Sequence, residues 1–380
     1  MRIVHAITSI EELASGPSYS VPSLASASAA LGNEVEVFSI GVAGRGSHIG
    51  FVHQRFRADK QWMPLSDRLS FSASMEKALS ASHATIIHNH GLWRMPNIYA
   101  ARAARRSGAK LVISPRGMLS KPALRFSSAS KKLFNLLFQQ RALQAADLFH
   151  ATSHQEYLEI REFGLMQPVA IVPNGIDLPD RQGVKATGGR PYAISLGRLH
   201  PKKALDVLVR AWATLENDYP DWQLKIVGPD ERNYAAELQS LVDGLGVRSV
   251  QISGPVYGSE KTALLEGAQL FALSSLNENF GIAVAESLAS GTPVIASKGS
   301  PWQGLEEYHC GWWVDQSVQA FAKALSHGMS LSSEERRAMG ERGLAWVQRD
   351  FAWSSVAEKM GEVYIWLAQG GEPPRSVQLT

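Results

Sequence analysis

The sequence predicts an α/β protein built of two Rossmann-like domains, with parallel sheets facing a central cleft. Three observations lead there. The chain has 380 residues, enough for two domains at roughly 100–200 residues each. Short β-type runs alternate with Ala-rich helical stretches, the pattern of parallel sheets. That pattern restarts after a Gly-containing polar stretch between Asp180 and Pro191, which has no apolar periodicity and reads as a linker.

In the first half the expected strands are Ile3–Ile7, Val35–Ile40, Thr85–His88, Leu111–Ser114, Leu148–Ala151 and Ala170–Val172. In the second they are Tyr192–Leu196, Gln223–Val227, Val250–Ile252, Leu270–Leu273 and Val294–Ala296. The first domain is expected over residues 1–185 and the second over 190–355, with a helix near 356–372 packing back onto the first. The tail 370–380 reads as frayed. Gly41 to Gly46 holds closely spaced glycines after a strand, but the helix that a dinucleotide fingerprint needs does not follow. It reads as a flexible loop.

Composition narrows the class. With 45% hydrophobic and 19% charged residues, the chain is an ordinary globular protein and not a disordered one. Its one cysteine, Cys310, excludes an internal disulfide framework and fits a reducing, cytoplasmic compartment. The opening MRIVHAITSI meets Glu11 and Glu12 too soon for a signal peptide and reads as a buried strand. No apolar stretch is long enough to span a membrane.

Charge is uneven: residues 1–188 carry a balance of +8 and the remainder −5. Ten basic and no acidic residues fall between 101 and 141. This is either a solvated helix face or a positive face toward anionic lipid headgroups, on the inner face of a membrane, or a phosphate-bearing acceptor. Leu124, Phe126, Leu133, Phe134, Leu136, Leu137 and Phe138 interleave with it, as in an interfacial helix or a core-facing one. No nucleic-acid-binding motif is present, so no nucleic-acid partner is expected.

The chemistry concentrates in SSLNENFGIAVAESLASGTP, residues 274–293. A strand ends, a polar loop carries Glu278, and Phe280-Gly281-Ile282 opens a helix carrying Glu286. Gly281 lets the backbone approach a ligand, and a helix start favours anions. The two carboxylates suit hydrogen bonds from a sugar or a ribose; alone, Glu286 would read as a solvated helix residue.

These residues resemble the E-x7-E signature of retaining GT-B glycosyltransferases, family 4 (group 1), and the resemblance runs over most of the chain. Gly197-Arg198-Leu199-His200-Pro201-Lys202-Lys203 is similar to the family segment in which a basic pair grips the donor diphosphate. Pro173-Asn174-Gly175-Ile176-Asp177 matches its turn before the linker, and Val227-Gly228-Pro229 a strand-ending glycine segment. Gly16-Pro17-Ser18 stands where the family has a glycine loop, and Leu31 to Val35 resembles the entry to its second strand.

The resemblance implies transfer of a sugar from a nucleoside diphosphate to a glycan or lipid-linked acceptor. Arg198, Lys203 and Glu278 would be the catalytic residues, the two cations stabilising the leaving diphosphate. Gly16, Val256, Tyr257, Phe280, Gly281, Ile282 and Glu286 would bind the donor, Glu286 on the ribose and the loop Pro255–Tyr257 against the base. Arg116 stands where many members carry a histidine. It stays protonated and is no base, but it could hold the acceptor's phosphate or the donor's diphosphate. No Asp-x-Asp is present, so no metal or other cofactor is expected.

His88-Asn89-His90-Gly91-Leu92-Trp93 ends a strand. A zinc pair lacks a third ligand at useful spacing; His90 and Trp93 read as acceptor contacts, or the histidines as core groups. His5, His150 and His154 read as structural, and Trp312 and Trp313 as core. Ser300-Pro301-Trp302 resembles the stretch near the diphosphate. Two other functions are compatible with the pocket: a nucleotide-sugar epimerase, and a non-catalytic nucleotide-sugar binding module.

Overall fold

The computed structural model describes residues 1–10, 16–42, 44–48, 50–59, 69–125, 134–179 and 189–379. Within it the chain forms two compact units, Met1–Gly175 with Trp353–Thr380, and Ile176–Ala352. The change of unit at 175/176 precedes the expected linker, most of which (180–188) lies outside the described residues.

The first unit holds a nine-stranded sheet of β1 (Arg2–Ile7), β2 (Glu34–Ile40), β3 (Gly44–His48), β4 (Phe51–Phe56), β5 (Ile86–His90), β6 (Lys110–Ser114), β7 (Leu148–Ala151), β8 (Val169–Ile171) and β15 (Val377–Gln378), ordered 15-8-7-6-5-1-2-4-3. Its central strands are parallel. They are buried on both faces, so β5 has no exposed residue and reads as a continuous run instead of an alternating one. Helices cover both sides. Met95–Ser107 starts at Pro96 in its first turn and stops at Gly108, whose φ of 77° only glycine adopts cheaply. Helix Trp353–Gln369 buries Trp353, Val356, Met360, Val363 and Tyr364 against the sheet.

Two expectations are corrected. The segment Gly41–Gly46 is not a flexible loop throughout: Gly44–His48 pairs antiparallel with β4, closed by Gly50 at φ 83°. The tail is not frayed at its end, because Val377–Gln378 adds antiparallel to β8 and Ile171 N–H donates to Ser376 at 2.7 Å. In the basic segment, residues 126–133, including Phe126 and Leu133, lie outside the described residues. Beyond them a π-turn, Asn135–Gln139, buries Gln139 and leaves Leu136 71% and Leu137 52% exposed.

The second unit holds a six-stranded, wholly parallel sheet of β9 (Tyr192–Leu196), β10 (Gln223–Val227), β11 (Val250–Ser253), β12 (Leu270–Leu273), β13 (Val294–Ser297) and β14 (Gly311–Val314), ordered 11-10-9-12-13-14. Helix Ser333–Asp350 begins in a capping box, Ser332 and Glu335 each satisfying the other's backbone N–H. Trp312 and Trp313 sit half-buried on β14, flanking the core instead of filling it.

Candidate active site

In the second unit the functional side chains stand at the carboxyl ends of parallel strands, where α/β sheets place ligands. Four loops touch there in two pairs. A Cβ on Gly228, just past β10, would lie 1.8 Å from the Gly197 carbonyl oxygen, just past β9. A Cβ on Gly299, after β13, would lie 2.4 Å from the Leu276 oxygen. Only glycine allows these loops to touch, and the contacts fix the turns that carry the charged residues.

Lys203 ends the short 3₁₀ turn Pro201–Lys203, capped by His200, whose Nδ1 accepts from Lys202 N–H at 3.0 Å. Its ammonium pairs with Glu278 Oε1. The same oxygen accepts from Ser275 Oγ at 2.8 Å, and Glu278 N–H donates to the Gly299 oxygen at 2.8 Å. Both side chains are mostly buried, 20% and 16% exposed, so the pair is a positioned one and not a passing surface contact.

Gly281 opens the helix Ile282–Ala289 at φ 77°, and a Cβ there would meet Trp302 Nε1 at 3.3 Å. Conformation and space both demand glycine. The Phe280 side chain is buried, 6% exposed, and its ring packs at a tilt against Trp302 and Phe351. Trp302 is likewise buried, its indole N–H donating to the Phe280 carbonyl. The pair props up the Gly281 turn from beneath.

Arg198 lines the same small cavity as Lys203, with Ser274 and Ser275. It pairs at 2.9 Å with Glu231 and is half-exposed, so it does not share Lys203's carboxylate. Glu286 is not a solvated helix residue: its Oε1 accepts from Lys261 Nζ at 2.6 Å, and it is 18% exposed. Lys261 escaped the sequence reading. It lies 25 residues from its partner, on the helix Gly258–Gly267, and only the packing of two helices brings the charges together. That helix begins after Val256 and Tyr257; Val256 packs against the core and Tyr257 is 63% exposed. Ile282 is partly buried at the first turn of its helix.

The first unit gathers a second group. Gly16 is the first residue of helix Gly16–Ala30, with open space around its Cβ position. Pairing of β1 with β5 places His5 opposite His88 and Ile7 opposite His90. The ring nitrogens of His5, His88 and His90 therefore lie within 4.8 Å of one another, and the third nitrogen missing from the local spacing is supplied by a distant strand.

The partners assign the tautomers. Arg116 donates to His90 Nδ1 at 3.1 Å, so His90 Nε2 carries the proton it donates to His5 Nδ1 at 2.9 Å. His150 Nε2–H donates to the Val172 oxygen at 2.8 Å, so its Nδ1 accepts from Ser114 Oγ at 2.8 Å. Ser114 Oγ in turn accepts from His88 Nε2 at 2.8 Å, and His88 Nδ1 accepts from the Tyr364 hydroxyl at 2.7 Å. The lone pairs a metal would need on all three rings already serve as hydrogen-bond acceptors.

Burial above all keeps these rings neutral: His5 and His150 are pushed down to about 3, with Arg116 adding to both. His88 and His90 also lie well below the ordinary histidine range, by burial and then by neighbouring histidines. They are buried groups that hydrogen-bond one another and their neighbours, with His5 Nε2 left without a partner. Trp93 stands at φ 67°, its N–H donating to Gln139 Oε1 at 2.9 Å. His154 starts the helix His154–Glu162 at the surface, its ring stacked with Tyr157.

Residues 15–175 match the family model described as a glycosyl transferase 4-like domain, and residues 179–346 match glycosyl transferases group 1. A D-inositol 3-phosphate glycosyltransferase of Corynebacterium urealyticum is 29% identical over 249 residues, 60% of this chain. The chain spans 58% of that relative's length. Among solved structures, sucrose-phosphate synthase from Thermosynechococcus elongatus superposes with a TM-score of 0.73 at 22% identity, covering 98% of this chain and 100% of that one. HepE of Anabaena, solved in complex with UDP, gives 0.73 at 18% identity, covering 95% and 99%. These likenesses establish the two-domain GT-B fold.

Proposed function

We infer, for a chain that belongs to the group 1 glycosyltransferases, that it moves a sugar from a nucleoside diphosphate to an acceptor hydroxyl with retention of configuration and without a metal. The observation that carries this reading is the Lys203–Glu278 pair next to the Gly281 helix start in the second unit. A departing diphosphate gains negative charge, and preorganised cations and helix N–H groups lower the barrier because they need no reorganisation. Lys203 uses one of three ammonium donors on Glu278 and keeps the others for phosphate oxygens. Glu278, held by Ser275, would accept from the transferred sugar's hydroxyls.

Glu286 would accept the ribose hydroxyls, with Lys261 orienting its carboxylate. Arg198 supports the diphosphate side from the shared cavity. In the first unit the imidazoles of His5, His88, His90 and His150 are engaged by their partners, which leaves none of these four as a base. The acceptor proton then goes to a donor phosphate oxygen, the front-face route to retention. Two solved neighbours contain UDP or a UDP-sugar, which supports a nucleotide-sugar donor. The acceptor side points to surface glycan or glycolipid synthesis at the inner membrane face, through the basic segment and the exposed Leu136 and Leu137. Among the described residues no helix is long and apolar enough to cross a membrane.

Release of nucleoside diphosphate from a UDP-sugar in the presence of acceptor tests the transfer. Glu286→Ala is expected to weaken donor binding on the order of tenfold with little change in thermal midpoint; calorimetry showing unchanged donor affinity removes it from the ribose. EDTA is expected to leave turnover unchanged. Loss of activity on chelation, restored by added divalent metal, would overturn the metal-free reading.

A further inference from the structure

We propose that Arg116 is the centre of an oxyanion site in the first unit, and that the acceptor held there carries a phosphate or carboxylate group. The acceptor assignment rests on the transferase reading above; the oxyanion site itself does not.

Arg116 follows β6, at the strand end where ligands of parallel sheets bind. Its guanidinium donates to Asn174 Oδ1 at 2.6 Å and to His90 Nδ1 at 3.1 Å. Both acceptors are neutral. Its Nε is buried without a partner. Among the described residues no carboxylate lies within 4.0 Å of it, whereas Lys203, Lys261 and Arg198 each have one. A guanidinium drawn partly out of water with no carboxylate in contact is costly. Burial lowers even this group to about 10, yet it keeps its charge at neutral pH.

The backbone is built to hold it there. Arg116 stands at φ 56°, a conformation a non-glycine residue adopts only at an energetic cost, and Gly117 follows at φ 73°. The buried carboxylate of Glu156 clamps the turn by accepting from Gly117 N–H at 2.7 Å, and from the N–H and hydroxyl of Thr152 at 2.7 and 2.9 Å. Glu156 is thus hydrogen-bonded to the backbone and acts on the cation from beyond contact distance, where its charge offsets only part of the burial. Gly175 lets the Asn174 turn press on Trp353, since its Cβ position lies 2.4 Å from the indole ring. The side chain remains partly exposed, and its unused N–H groups present the planar fork that matches two oxygens of a phosphate or carboxylate. The Arg116 charge and the hydrogen bonds already made by His5, His88 and His90 favour an anion here over a divalent cation.

The test is calorimetric titration of the full chain with inorganic phosphate, and separately with acetate, at pH 7.5 and constant ionic strength. A Lys203→Ala/Lys261→Ala variant silences the two lysines of the second unit. It is expected to keep one phosphate or acetate site, and whichever anion binds more tightly names the acceptor's group. Adding Arg116→Gln is expected to weaken that site at least on the order of tenfold. Adding Arg116→Lys, which keeps the charge and loses the fork, is expected to weaken it less; this variant carries the test should the glutamine variant not fold. No binding by the parent variant, or an Arg116 variant that binds as tightly as the parent, overturns the site. Competition by UDP in the same background would assign the anion to the donor and overturn the acceptor assignment. The readout needs no turnover, so its failure and a failure of the transferase reading are separately visible.

Discussion

Replacing Lys203 with alanine is expected to lower kcat by on the order of 10²–10³ while leaving acceptor KM nearly unchanged. The expectation follows from where the charge stands. Lys203 is mostly buried, oriented by Glu278, and fixed by a turn that Gly197 and Gly228 hold in place. Such a cation meets developing charge without reorganising. The alanine variant leaves Glu278 with Ser275 as its remaining side-chain partner in the second unit, so a modest drop in thermal midpoint accompanies the loss. The control is Glu278→Gln, which releases the lysine without removing its charge and is expected to affect sugar positioning more than leaving-group departure. Full turnover in Lys203→Ala would remove this residue from the chemistry.

Acidification is expected to destabilise the first unit steeply below about pH 6.5. Each buried neutral histidine takes up its proton in the unfolded chain near 6.5 but resists it when folded. The unfolded state therefore binds more protons throughout the interval, and stability, fully present above 6.5, is lost as the pH falls. For His5 and His150, both lowered to about 3, the interval runs from 6.5 down to about 3. The slope is about 1.4 kcal/mol per pH unit for each. His88 and His90 act in the same direction, as does His53, lowered by burial to about 4. Glu159 opposes them: burial raises it to about 7, so its contribution grows as the pH drops toward 4.5. One carboxyl against five imidazoles leaves a net loss. Urea midpoints at pH 7, 6 and 5 measure it, and a flat profile would contradict the buried neutral cluster.

Much of the architecture was legible because the parallel strands write short runs dominated by buried apolar residues. Leu148–Ala151, Tyr192–Leu196, Gln223–Val227 and Leu270–Leu273 fall at their expected limits. What escaped depends on partners elsewhere. Gly44–His48 is glycine-rich and polar and becomes a strand only by pairing with β4. Val377–Gln378 is two residues long and exists through β8. Gly311–Val314 has two tryptophans that suggest core, yet it is the edge of the second sheet.

The candidate site divides the same way. The Gly281 turn was readable as a local demand for positive φ followed by a helix. The ion pairs were not: Lys261 meets Glu286 across two helices, and Glu231 meets Arg198 across 33 residues. The packing of Phe280 was not readable either, because an aromatic next to a functional glycine looks the same in sequence whether its ring faces ligand or core; here the ring faces Trp302. His5 could not be linked to His88 and His90 without the β1–β5 register.

The most direct measurement is the structure of the protein in complex with UDP. The β-phosphate is expected about 3 Å from Lys203 Nζ and over the Gly281 turn, with the ribose hydroxyls on Glu286. A diphosphate lodged elsewhere, with Lys203 still engaged only by Glu278 and Glu286 only by Lys261, would contradict it.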